Sequence, residues 1–231
     1  MLSDPLVNSC KNCPVAWKNF KNLSESEIRL VNENRYEASF KPGEILIKQG
    51  SPASSAIFLS KGMAKAYVEG PDRNNNILDI VLPSSLIISP GLQIDERYAF
   101  SVAALTSVQT CFISFKIINQ LIRDNPAFAT GMIEDLSMKS LVAHKKLVSL
   151  TQKKMAGRIA EALLFFSDEV YHSDTFDVIL TRQELGELTN MAKESVVRIL
   201  KELDSQGVIK SDSSRIQILD MSRLHLISEK G

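Results

Sequence analysis

Leu180-Thr-Arg-Gln-Glu-Leu-Gly-Glu-Leu188, followed after four residues by Lys193-Glu-Ser-Val-Val-Arg-Ile-Leu200, is the stretch whose reading decides the fold. Thr181 with Glu184 three residues later is a capping box, so a helix starts there. Asn190 marks a turn, Lys193 to Ser205 reads as a second helix, and Gly207 ends it. Further on, Val208 to Lys210 and Ile216 to Leu219 flank Ser211-Asp212-Ser213-Ser214, a two-stranded ribbon with a polar tip. Upstream, Ala156 to Val170 reads as helix and Phe176 to Leu180 as a short β run. Helix, turn, helix, ribbon is the winged helix-turn-helix arrangement, expected here over 154–231.

At 100° per residue the second helix places Val196, Ile199, Leu200 and Leu203 in one apolar stripe, with Glu194, Arg198, Lys201 and Ser205 opposite. Glu194 and Arg198 are spaced for a solvated i, i+4 ion pair worth about 0.2 to 0.5 kcal/mol. Lys193 is harder to explain by stability, because a cation in the first turn opposes the helix dipole. In a major groove Arg198 can donate a fork to guanine O6 and N7, Glu194 can accept from cytosine N4, and Val197 can meet a thymine methyl. Lys193 and Lys201 reach guanine or phosphate, and Ser195, Thr181 and Arg182 are phosphate candidates that would set docking.

Upstream of 154, a helical pattern runs from Pro126 to Lys153, with Ile133, Leu136, Ser140, Ala143, Leu147 and Leu150 at 3,4,3,4,3 spacing. That is a heptad seam suited to pairing with a second copy of itself, and Ser140 and Ala143 keep its middle small. From Glu37 to Ser114 short β-type runs alternate with turns at Lys41-Pro42-Gly43-Glu44, Gly50-Ser51-Pro52, Lys61-Gly62 and Glu69-Gly70-Pro71-Asp72, which predicts an antiparallel barrel or sandwich. The expected fold is therefore α+β: an N-terminal antiparallel β-roll of jelly-roll type over 1–125, a long dimerisation helix over 126–153, and the winged helix-turn-helix.

The 231 residues carry no net charge, 44% hydrophobic and 23% charged side chains, which is globular composition. The balance is uneven, because 155–231 holds 9 Lys and Arg against 13 Asp and Glu. A domain that coats nucleic acid through bulk charge is excluded, leaving a localised patch. Three cysteines cannot all pair, so a secreted disulfide framework is not expected. Met1 to Cys10 has no signal-peptide pattern and the apolar runs are too short for a bilayer, so the expectation is a cytoplasmic protein with no membrane partner.

The two quoted helices resemble the Crp/Fnr family of bacterial transcription regulators. Phe40-Lys-Pro-Gly-Glu-Ile-Leu46 with Gly50 and Phe58-Leu-Ser-Lys-Gly62 is similar to the turn pattern of the family's cyclic-nucleotide-binding roll, and Gly157-Arg-Ile-Ala160 to the start of its DNA-binding domain. The resemblance implies that Glu194 and Arg198 take base-reading positions, with Lys193 where the cyclic-AMP branch has arginine. Ala192 replaces that branch's Ser cap. It further implies a homodimer on an operator in double-stranded DNA, with RNA polymerase as a further partner.

The family's cyclic-nucleotide ligands are missing. The Arg-Ser pair that holds the phosphate aligns with Tyr98-Ala99, the Gly-Glu region reads Ser85-Leu-Ile-Ile88, and the Thr-Ser pair on the long helix is Ala143-His144. Burying a phosphate without a cation or donors costs several kcal/mol, so any effector pocket formed by Ile88, Tyr98, Ala99, Ala143 and His144 is not one for cyclic AMP. The neighbouring Arg97 would be aimed at the other face by strand alternation. The other branch senses oxygen or nitric oxide through an iron–sulfur cluster, and Cys10-Lys-Asn-Cys13-Pro14 with Cys111 matches three of its four ligand positions. The remaining position holds Asn19, a poor ligand for a cluster that takes four thiolates. Some relatives carry haem, for which His144 or the cysteines are the available ligands; the expectation is no cofactor, with an iron–sulfur cluster or haem as the alternatives.

Function is thus expected to be sequence-specific regulation of transcription, with an unidentified small-molecule or redox effector acting through the roll. A thiol redox enzyme built on Cys10 and Cys13 is the alternative from another class, but a thioredoxin-like pair needs an α/β setting and this one precedes an all-β region. His144, His172 and His225 fall in separate segments, so neither a catalytic triad nor a zinc site is expected.

Overall fold

The computed structural model describes Cys10, Cys13, 15–71, 75–89 and 94–231. The expected turn at Glu69 to Asp72 therefore falls partly outside the described residues, as do Pro14 and all of Met1 to Cys10 except Cys10 itself. The chain divides into two compact units, one holding most of the β-roll and the long helix as far as Lys139, the other running over 140–231 and taking in 75–77.

In the first unit the strands are β1 (Arg35–Phe40), β2 (Ile45–Ile47), β3 (Ser55–Lys61), β4 (Ala64–Glu69), β5 (Asn75–Val81), β6 (Ser85–Ile87), β7 (Ser101–Ala104) and β8 (Val108–Ser114). They form two four-stranded sheets, ordered β1-β8-β3-β6 and β2-β7-β4-β5. Pairing of β8 with both β1 and β3 is antiparallel, with Cys111 opposite Glu37 on one side and Phe58 on the other. Strand β3 is apolar on both faces. Ile57 and Leu59 point into the roll with Val102, Val108 and Phe112, while Ala56 and Phe58 pack outward beneath a helical layer.

That layer was not expected from the sequence. It consists of a short 3₁₀ turn (Lys18–Asn22), α1 (Glu25–Glu33) and α2 (Phe115–Asp124), and it buries Trp17, Phe20, Ile28, Val31, Ile117, Ile118 and Leu121. A capping box starts α1: Ser24 Oγ accepts from Glu27 N–H and Glu27 accepts from Ser24 N–H. Strand β8 ends at Ser114, the end expected for the β region, and α2 begins at Phe115.

The long helix α3 (Pro126–Gln152) begins where the Pro signal places it. Of the seam, Ile133, Leu136, Ser140, Ala143 and Leu147 are exposed and Leu150 is half-buried. In the second unit α4 (Met155–Phe165) passes into a π-helical turn (Phe166–Tyr171), so the expected continuous helix to Val170 changes register. That turn buries Phe166 against Tyr171 and Phe176. Strand β9 is Thr175–Asp177, shorter than the Phe176 to Leu180 run and begun one residue earlier. It adds a third strand to the ribbon of β10 (Ile209–Asp212) and β11 (Arg215–Ile218), giving the order β10-β11-β9. Ser211 and Asp212 are thus part of a strand rather than the polar tip. The helices α5 (Arg182–Thr189) and α6 (Lys193–Ser205) match expectation, and an unexpected α7 (Met221–Lys230) packs on α4. The architecture is α+β: antiparallel sheets, a long helix, and a winged helix-turn-helix.

Candidate nucleic-acid interface

Helix α5 begins as its sequence dictates. Thr181 Oγ1 accepts from Glu184 N–H at 3.2 Å, and the Glu184 carboxylate accepts from Thr181 N–H and from its hydroxyl, each at 2.8 Å. The hydroxyl proton of Thr181 is therefore held by Glu184. Arg182 is half-buried, with its guanidinium donating to Ser213 O and, at 3.5 Å, to Ser211 Oγ, so it braces the wing; burial holds its pKa below the usual arginine value.

Between the helices Asn190 takes the left-handed conformation, with φ 52° and ψ 58°. Gly186 allows the tight return, since a Cβ there would lie 2.5 Å from Met191 O. Arg158, reaching from α4, donates to Thr189 O at 2.9 Å and Asn190 O at 3.0 Å, where a cation suits the carbonyls of a helix C-terminus. Sequence reasoning placed Arg158 only as part of a family pattern. Its function as the tether of the turn depends on a contact across 31 residues that no local pattern signals.

Helix α6 buries Val196, Ile199, Leu200 and Leu203, the stripe read from the sequence. Lys193, Glu194, Arg198 and Lys201 are exposed and Val197 half-buried, and these five share one open surface with Glu202 and Ser205. The solvated ion pair between Glu194 and Arg198 is not the one the structure forms: Arg198 pairs with Glu202 at 2.8 Å. Both partners are about half exposed, so leaving that pair to meet a base costs only about 0.3 to 0.5 kcal/mol. Ser195 is half-buried beside this surface. The start of α6 has no side-chain cap at Ala192; Ser195 and Val196 N–H donate to Ala192 O at 3.0 and 3.2 Å, and the N–H groups of Lys193 and Glu194 stand at the exposed start beside the Lys193 cation.

In the roll, Tyr98 donates its phenol to Ser55 O at 3.0 Å and packs on the inner core, and Ala99 N–H donates to the buried Ser89 Oγ at 2.8 Å. Arg97 is exposed and donates to Gly50 O at 2.6 Å; 97–99 lie ahead of β7 and outside any strand, so the alternation expected there does not set its direction. Ile88 packs with the outer cluster, while Ala143 and His144 are exposed on α3. Tyr98 and Ile88 thus serve different cores.

Cys10, Cys13 and Cys111 do come together, lining one cleft of about 380 Å³ with Arg35, Glu37 and Phe20. An iron–sulfur cluster does not fit them. Asn19, in the fourth position, is buried and turned the other way, its amide donating to Phe128 O at 3.1 Å and its oxygen accepting from Asn22 at 2.7 Å. Among the described residues no three His, Cys, Asp or Glu side chains are arranged to hold a metal ion, and no helix is long and apolar enough to cross a membrane.

Comparison with known proteins assigns both units. Residues 157–227 match the Crp-like helix-turn-helix domain and 37–125 the cyclic nucleotide-binding domain. The cAMP-activated global transcriptional regulator CRP of Salmonella typhimurium is 30% identical over 178 residues, 75% of this chain and 84% of that one. The transcriptional activator protein Anr of Pseudomonas aeruginosa is 26% identical over 80% of this chain and 77% of its own. A Crp/Fnr family regulator from Eubacterium rectale shares the fold with a TM-score of 0.79 at 15% identity, over 92% of this chain and 98% of that one. With its helix-turn-helix, its roll and these relatives in agreement, the chain belongs to the Crp/Fnr family of DNA-binding transcription regulators, which are not enzymes.

Proposed function

We propose that this regulator acts in the cytoplasm as a homodimer on a two-fold symmetric operator, with half-sites about one helical turn apart, and that an effector other than cyclic AMP acts through its roll. The observation that carries the reading is the surface of α6, where Lys193, Glu194, Val197, Arg198 and Lys201 lie together while the opposite stripe is fully buried. Arg198 and Glu194 read base edges, Lys193 and Lys201 add base or phosphate contacts, Ser195 a phosphate contact, and Arg182 and Thr181 hold the wing and the helix start that present them. The uncovered Ile133, Leu136 and Leu147 of α3, with Ser140 and Ala143 between them, support pairing with a second copy. RNA polymerase is the partner through which bound operator would be turned into transcription.

Selection from random duplexes tests the first half. A palindromic site should emerge, and Arg198→Ala should weaken it by about 1 to 3 kcal/mol and relax one position per half-site. Unchanged binding by that variant would show that α6 does not read through Arg198. Titration calorimetry with cyclic AMP should give no heat, given the inward Tyr98 and outward Arg97; saturable binding refutes the second half.

A further inference from the structure

The N-terminal arm joins the thiol cleft to the long helix. At one end Cys10 N–H and Arg35 Nε both donate to Asn32 Oδ1, at 3.0 and 3.3 Å. The Arg35 Nη1 then donates to Cys111 Sγ at 3.5 Å and to Glu37 at 2.7 Å. The backbone of Cys10, the Asn32 amide oxygen, the Arg35 guanidinium and the Cys111 sulfur are thus joined by consecutive contacts, and all three cysteines and Arg35 line one cleft.

At its other end the arm grips α3. Trp17 Nε1 donates to Asp135 at 2.7 Å, Lys18 pairs with Asp135 at 2.5 Å, and Trp17 meets Phe128 edge to face at 5.6 Å. Asn19 packs so tightly on Gly131 that a Cβ there would lie 1.8 Å from its Oδ1. Asn19, the residue that fails as a metal ligand, is the arm's anchor on the helix.

We propose that Cys10 and Cys111 are a reversible two-electron thiol pair, oxidised by a hydroperoxide to a disulfide that fastens the arm to β8, with Arg35 polarising the attacking sulfur of Cys111. The Cys111 thiolate attacks one peroxide oxygen, the O–O bond breaks, and a sulfenic acid forms while the departing hydroxide takes up a proton and leaves as water. The Cys10 sulfur then attacks the sulfenic sulfur, the S–O bond breaks, and the Cys10 proton leaves with that hydroxyl as a second water. Two thiols and one hydrogen peroxide become one disulfide and two waters.

The roles follow from surroundings. Cys111 is half-buried and receives the guanidinium hydrogen bond. Cys10 is buried, which pushes its thiol up to about 11 against the lowering effect of Arg35, so it waits protonated as the resolving partner. Burial likewise raises Cys111, which makes the pair slow to react and responsive to sustained oxidant. Cys13, which lines the same cleft, is the thiol able to exchange into the bond.

The pair stands independently of the DNA-reading surface, whereas its effect on operator binding rests on that reading. The test treats reduced full-length protein with hydrogen peroxide. Titratable thiols should fall from the three present to one, and peptide mapping should recover Cys10 joined to Cys111. Cys111→Ser should lose that linkage, and Arg35→Lys, which keeps a cation, should slow its formation by no more than about tenfold while Arg35→Gln slows it further. Three thiols left reduced, or a linkage confined to Cys10 and Cys13, overturns the proposal. Operator affinity should change about fivefold or more on oxidation and recover with dithiothreitol. A disulfide with unchanged affinity refutes the coupling through the arm, and a protein that binds no operator in either the reduced or the oxidised state refutes the reading of α6 and leaves the thiol pair intact.

Discussion

Helices α6 and α3 both carry regular apolar stripes, yet the chain covers one and leaves the other open. Val196, Ile199, Leu200 and Leu203 of α6 are at most 3% exposed, whereas Ile133, Leu136 and Leu147 of α3 are 64%, 53% and 60% exposed. An apolar side chain covered by its own unit holds that unit folded. One left in water is a surface for something else, and under the function proposed above that something is a second copy of the chain, met along a seam narrowed by Ser140 and Ala143.

The sharpest way to break this contrast is truncation on each side. Leu200→Ala should lower the stability of the second unit by about 2 to 5 kcal/mol in urea unfolding, because it empties a packed site. An equal loss for Leu147→Ala in the isolated monomer would erase the distinction. Next, Leu136→Glu with Leu147→Glu should leave circular dichroism unchanged, convert dimer to monomer in sedimentation, and weaken operator binding about a hundredfold as two reading heads act singly. The smallest effect is expected at the uncapped start of α6. Ala192 already has the extended conformation of an N-cap, with φ −66° and ψ 147°, so Ala192→Ser should raise stability by about 0.5 to 1 kcal/mol. If it lowers operator affinity at the same time, the N–H groups at that exposed start serve the nucleic acid rather than the fold.

Legibility followed the range of the forces involved. The start and end of α6, the capping box at Thr181 and the buried stripe were readable because caps and periodicity act within a turn or two. The helix α1 carries an equally local signal, the capping box of Ser24 and Glu27. Two departures have tertiary causes, the π-helical turn that seats Phe166 and the third ribbon strand β9, while α7 joins its packing on α4 to a local cap in which Asp220 accepts from Arg223 N–H. At the candidate site, the sequence reading set only Glu194 beside Arg198, whereas the structure pairs Arg198 with Glu202, four residues on the other side. The bonds of Arg158 to Thr189 and Asn190, and of Arg182 to the wing, join residues about thirty positions apart and leave no local trace. The same holds for the thiols, whose meeting depends on β1 lying beside β8.

That last pairing also sets an order of assembly. Tyr36 lies opposite Phe112, so during synthesis β1 has to wait for about seventy further residues before its neighbour exists, and closing so large a loop is slow. The second unit is made of elements that follow one another closely, and it can fold as soon as it leaves the ribosome. Until β8 arrives, β1 and the arm ahead of it are unpaired, and Cys10 and Cys13 meet the cellular milieu before Cys111 has been translated. A nascent chain therefore has its two N-terminal thiols available for pairing with each other first, and a reducing environment during synthesis is a condition for the native thiol arrangement.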